Sequence, residues 1–176
     1  MILKLTGRNA FLGILFLSAA FNRSPNIADG APGTQFVNIG SSYYYIETNL
    51  KKNWFDAYES CRRMQADLIT LETLDELIEV NKYLVKRNIY KRYWTSGNDL
   101  AKEGEHVWFS NGEPLRPNLW YVGEPNNKNR TEHCDVMGNE SNPEKLPGIN
   151  DRRCLLESSY ICESLKPQTV VTCVKN

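Results

Sequence analysis

The chain lacks an excess of charge of either sign. Its 176 residues hold 21 Lys and Arg against 21 Asp and Glu, so the formal charge is zero. Proteins that hold a polyanion such as nucleic acid usually carry a basic excess, and the composition points away from that class. A long apolar run is also missing. The stretch Ala10 to Ala20, broken by Gly13 and Ser18, falls well short of the roughly 20 residues that cross a bilayer core. Hydrophobic residues at 41% and a mean hydropathy of -0.50 speak against both a multi-span membrane protein and a disordered chain. There is no internal repeat and no low-complexity tract. The length suits one ordinary domain with little left over.

What is present begins with five cysteines, an odd count. Its meaning depends on the compartment. Lys4 and Arg8 precede the apolar run, and Ser18 and Ala20 put small side chains before a cleavage after Ala20. Residues 1–20 therefore read as a signal peptide. Residues 21–35, rich in Pro, Gly and Asn, read as a flexible leader. Loss of the first 20 residues leaves 19 basic against 21 acidic residues. Three N-x-[ST] sequons, at Asn22, Asn129 and Asn139, agree with a secreted, extracellular glycoprotein. Cysteines should pair in that compartment, yet five cannot all pair within one chain.

The ordered part begins near Phe36. Residues 36–39 and 43–47 read as strands around a Gly40-Ser41-Ser42 turn. Asn53 is placed to cap a helix to about Gln65, with Trp54, Ala57, Tyr58 and Cys61 on one face. Thr73 and Glu76 form a capping box for a second helix to about Arg87. Short strands follow at 93–95, 106–109, 134–137 and 160–163. Two helices followed by short strands predict an α+β fold, with the helices packed on small antiparallel sheets. Residues 111–151 form a long irregular region, and loops of that length are functional or disordered. Its interspersed aromatic and cysteine residues favour an ordered functional loop.

Within it cluster Glu124, Asn126, Asn127, Glu132, Asn150 and Asp151. Carboxylate and amide oxygens are what hard cations such as calcium take, so a metal site is one reading. A solvated polar loop is the other.

The ordered motifs resemble the C-type lectin domain, and particularly the secreted single-domain lectins of insects. The likeness covers residues 36–164. Glu124-Pro125-Asn126 matches the family's EPN sugar motif, and Glu132 follows at the family's spacing. Ile149-Asn150-Asp151 matches the WND motif with its tryptophan replaced. Tyr93 to Gly97 stands at the WIGL-type core strand, and Trp108 and Trp120 fall at familiar places.

The resemblance implies disulfides Cys61–Cys162 and Cys134–Cys154, the second drawing Glu132 towards Asn150 and Asp151. It implies a calcium ion held by Glu124, Asn126, Glu132, Asn150 and Asp151, and a cis Pro125. It implies binding of mannose-type sugars, including fucose- and GlcNAc-like ones, on cell or microbial surfaces, with innate immunity among the group's roles. A second calcium would draw on Asp99, Glu103 and Asn127. His133 stands where the family often has aspartate, and imidazole is a poor calcium ligand, so that site is expected to be weak or empty.

Two other functions compete. A lectin-like fold can bind a protein partner without calcium or sugar, but all five side-chain ligands are kept here. Catalysis by Glu124 and Glu132 would lack a proton donor if both are ionised on a metal. His106 and His133 read as surface histidines with no nucleophile beside them. The expectation is therefore no enzyme, no nucleic acid and no membrane span in the mature chain.

The family framework uses four cysteines and leaves Cys173, in the tail over 165–176. An exposed thiol in a secreted protein usually finds a partner. The expectation is an interchain disulfide and a homodimer. On non-reducing electrophoresis the wild type should run as a dimer and Cys173→Ser as a monomer; two monomers would contradict it.

Overall fold

The structure, a computed structural model, describes residues 35–138 and 147–165. The signal segment, nearly all of the leader, the sequons at Asn22 and Asn139, and the tail with Cys173 lie outside the described residues.

Local signals explain the two helices. Helix α1 (Trp54–Arg63) starts where the Asn53 side chain accepts the Asp56 N–H at 2.9 Å. Asp56 in its first turn and Arg62 and Arg63 in its last suit the helix dipole. It stops at Gln65, whose φ of 56° cannot continue a right-handed helix. Helix α2 (Leu74–Lys86) is capped by Thr73, which accepts the Glu76 N–H at 3.2 Å. The reciprocal half of the capping box differs from the sequence reading. Glu76 accepts from the Glu72 N–H at 3.1 Å, one residue before the cap, and also from the Tyr44 hydroxyl at 2.8 Å.

The strands are β1 (Val37–Ile39), β2 (Ser42–Lys52), β3 (Ala66–Leu68), β4 (Tyr93–Asn98), β5 (Val107–Trp108), β6 (Cys134–Met137), β7 (Ile149–Arg152) and β8 (Ser158–Ser164). They join in one sheet of order β1-β2-β8-β4-β6-β7, with β3 on β8 and β5 on β4. The fold is α+β, and the sheet is mixed: β4 and β8 run parallel while the other pairs are antiparallel. The sequence reading has the helices on small antiparallel sheets, and most of the pairs are antiparallel. A single sheet forms because β8 pairs with β2, β3 and β4 and so ties the two ends of the domain.

All six residues of β4 are buried. Trp54 and Trp94, each at most 2% exposed, keep their indole N–H groups paired, to Thr95 O at 2.9 Å and Lys52 O at 2.8 Å. One apolar cluster gathers Ile69, Leu71, Leu77 and Ile161 with Trp108. A second surrounds Trp54, Trp94 and the cysteines. No helix among the described residues is long and apolar enough to cross a membrane.

Two disulfides join distant segments: Cys61 of α1 to Cys162 of β8, and Cys134 of β6 to Cys154 after β7. The first spans 101 positions, and in the chain-entropy model a loop of that size contributes about 4.7 kcal/mol. Replacing Cys61 and Cys162 together by Ala should lower the urea-unfolding free energy by about 4–5 kcal/mol. A loss below about 1 kcal/mol would mean the bond does not constrain the unfolded chain.

Candidate functional site

The polar loop is anchored by one buried carboxylate. Asp151 lies on β7, opposite Asp135 of β6, and is fully buried. Its Oδ1 accepts the Asn126 N–H at 3.1 Å and its Oδ2 accepts the Asn127 N–H at 2.6 Å. A residue far along the chain thus fixes the backbone just after Pro125. The Glu124–Pro125 peptide is cis. The approach to it is held by Tyr121, whose N–H reaches Ile149 O at 3.0 Å, and by the Glu124 N–H on Tyr121 O at 2.9 Å. The far side is held by the Glu132 N–H on the Asn127 side-chain oxygen at 3.1 Å.

This arrangement brings Glu124, Asn126, Asn127, Glu132 and Asp151 together. The Glu124 carboxylate accepts from the Asn126 amide at 2.5 Å, and Glu132 accepts from the Lys128 N–H at 3.3 Å. Partial burial, with the charges of Asp151 and Glu132 beside it, pushes the Glu124 carboxyl up to about 7. Asn150, the neighbour of Asp151, keeps its side-chain oxygen buried without a hydrogen-bond partner. Among the described residues, no group of three His, Cys, Asp or Glu side chains is arranged to hold a metal ion, and the three carboxylates accept internal hydrogen bonds. The donor chemistry nonetheless fits a hard cation. The donors are all oxygen, three of the groups are carboxylates, and one buried amide oxygen lacks a partner. Asn129 is exposed at the rim of this loop, with a φ of 59°.

The residues considered for a second calcium are engaged differently. Asp99 is 2% exposed; its Oδ1 meets His133 Nδ1 at 2.9 Å, and its Oδ2 accepts the Gly104 N–H at 2.7 Å. Glu103 accepts from the Asn127 amide at 2.9 Å.

His106 corrects the sequence reading, which has it on the surface. It is 8% exposed, its Nδ1 is 3.1 Å from an Asp135 oxygen, and its ring meets Trp120 edge-on at 4.8 Å between centroids. Burial alone would lower the His106 pKa, but the hydrogen bond and charge of Asp135, followed by the charges of Asp99 and Asp151, leave it raised. Burial pushes the Asp135 carboxyl up to about 6, against the opposing pull of His106. The pair supports the strand that faces Asp151. Its one signal in the sequence is an acid inside the apolar run Cys134 to Met137, since a buried carboxylate needs a partner. His106→Leu should therefore destabilise the domain by about 3–5 kcal/mol, and adding Asp135→Val should restore most of that loss. Chemical denaturation of the two variants checks it; equal stabilities would contradict the pairing.

Comparison with known proteins agrees with this architecture. Residues 50–164 match the family model described as the lectin C-type domain. C-type lectin 37Da of Drosophila melanogaster is 40% identical over 141 residues, covering 78% of this chain and 75% of that protein. Salivary C-type lectin 1 of Aedes albopictus is 31% identical, covering 66% and 79%. Among solved structures, the cow C-type carbohydrate-recognition domain of CD23, studied in the presence of a GlcNAc2Man3 oligosaccharide, superposes with a TM-score of 0.61. It is 26% identical and covers 78% of this chain and 97% of that one. The mouse scavenger receptor C-type lectin carbohydrate-recognition domain, at 23% identity, shares the fold with a TM-score of 0.63 over 78% and 100%. Family members bind carbohydrate and are not enzymes, and this chain belongs to the C-type lectin domain family.

Proposed function

We propose that the chain is a secreted, calcium-dependent lectin with a preference for mannose-type sugars. The observation that carries the reading is the buried, unpartnered Asn150 oxygen, on the residue next to Asp151, whose charge acts on Glu124 together with that of Glu132. An uncompensated buried amide oxygen is costly, and a cation satisfies it. The residues that would hold calcium are Glu124, Asn126, Glu132, Asn150 and Asp151. Bound there, the ion supplies further coordination positions for two vicinal sugar hydroxyls.

The side chains do the rest. Glu124 and Glu132 accept the hydroxyl protons, while the Asn126 and Asn150 amides donate to the hydroxyl oxygens. Asp151, already committed to two backbone N–H groups, sets the position of Asn126. The order Glu124 then Asn126 is the family pattern that accompanies equatorial 3- and 4-hydroxyls. Asp99 and His133 satisfy each other, which supports a second site that is weak or empty. A glycan at the Asn129 sequon would stand at the rim and select against bulky ligands.

Extracellular targeting by residues 1–20, a domain over 36–164 and dimerisation through Cys173 complete the proposal. A single shallow site binds one sugar weakly, and two sites in one disulfide-linked dimer would raise the avidity. The family's salivary and other insect members fit a role at cell or microbial surfaces.

Retention on immobilised mannose should require calcium and be released by chelator; retention that ignores chelator would refute the reading. Glu124→Gln with Asn126→Asp should move preference towards galactose, as measured by competitive elution, and an unchanged sugar order would show that this pair does not set specificity.

A further inference from the structure

The zero net charge hides a segregated one. From Asn81 to Asn98 the chain has no acidic residue, yet it holds Lys82, Lys86, Arg87, Lys91 and Arg92. Three of these cations lie on the last turns of α2 or at its cap, and two follow in the turn after it. Lys82 and Lys86 are one turn apart on α2 and share a stripe of its surface. Arg87 lies 3.9 Å over the Tyr83 ring, which holds the guanidinium on the stripe next to that of the two lysines. The helix then ends at Asn88, with a φ of 57°, and the Ile89 N–H turns back to Leu84 O at 3.0 Å. That reversal brings the Lys91-Arg92 pair round after the Lys86-Arg87 pair. Lys91 is pinned by its ammonium on Thr48 O at 2.6 Å, and the Arg92 charge is felt at Tyr121.

None of the five takes part in an ion pair among the described residues. The nearest acid along the helix, Glu79, turns its carboxylate to Gly40 instead. The carbonyl end of α2 offsets only about half a unit charge. The patch is thus a real excess of positive field, of a size that ordinary helix-dipole complementation does not require.

We propose that this surface is a second, calcium-independent binding site for a linear sulfated polysaccharide. The cations recur along the end of α2 and the turn after it, which suits a chain with repeated anionic groups. Tyr90, 37% exposed, lies between the two basic pairs and offers a face for a sugar ring. A membrane surface is the poorer fit, because the stripe exposes no aliphatic anchor and Ile89 is half-buried. The helical part of the patch also lies apart from the polar loop, although Arg92 acts on Tyr121 at the approach to that loop. The patch precedes Tyr93 at one end of β4, while Asn98 and Asp99 at the other end adjoin the loop residues, about 17 Å away along an extended strand. The helical cations Lys82, Lys86 and Arg87 can therefore be removed without touching the loop.

The test uses the full chain on immobilised heparin, with calcium and then with chelator. Retention at about 0.15 M salt, elution by higher salt and indifference to chelator are expected. Lys86→Ser with Arg87→Ser should weaken heparin binding roughly tenfold and leave calcium-dependent mannose retention unchanged. Lys102→Ser with Arg116→Ser, which removes two exposed charges elsewhere, should leave heparin binding unchanged. Absence of wild-type retention, equal loss in the two double variants, or equal binding to phosphatidylserine vesicles would overturn the proposal.

Discussion

The site depends on the buried carboxylate of Asp151. A carboxylate with no solvent exposure must be matched by donors, and here the donors are the backbone N–H groups of Asn126 and Asn127. That pairing ties β7 to the start of the polar loop, across a sequence gap of 25 residues. The Cys134–Cys154 bond closes the same region from below, and the β6–β7 ladder sets Asn150 opposite Val136. The Asp151 carboxylate thereby links Asn126 of the loop to the strand that carries Asn150. Without the Asp151 bridge, the loop from Glu124 to Glu132 would have only its own short-range bonds to hold it.

Beneath this bridge sits a layer that a simple apolar core would not need. Asp135, directly opposite Asp151 in the ladder, is balanced by His106, and His106 rests against Trp120. The Trp120 backbone bridges to Ile149 of β7. Sugar-loop geometry, strand pairing and the buried ion pair are therefore one connected set of contacts. Asp99 belongs to the same layer, with His133 on one oxygen and the Gly104 N–H on the other.

The helices were legible because capping and apolar periodicity act locally. Asn53 and Thr73 cap where their side chains predict, and Cys61, Leu77 and Leu84 face inward at helical spacing. The strand Cys134–Met137 was legible for the same reason, being apolar on both sides of its one acid. Strand β7 was not, because the polar pair Asn150-Asp151 breaks the alternation that marks a strand. Strand β3 was missed because three residues carry too little pattern. The His106–Asp135 pair was hidden because its partners are 29 positions apart and meet only through the sheet. The candidate ligands were legible as a motif in fixed order, whereas their mutual distances follow from the Asp151 bridge. The basic stripe was masked by composition, since an acidic balance elsewhere cancels it in the total.

The central claim is that the oxygen cluster, with the unpartnered Asn150 amide at its heart, is built to hold calcium. Calorimetric titration of calcium into chelator-treated protein tests it most directly, with the wild type beside Asn150→Ala. Asn150 is the right position to change, because Asp151 also holds the loop and its loss would confound binding with folding. The account predicts saturable calcium binding by the wild type and affinity reduced roughly tenfold or more in Asn150→Ala, with the metal-free unfolding temperature unchanged. Equal calcium affinity in the two proteins would contradict it.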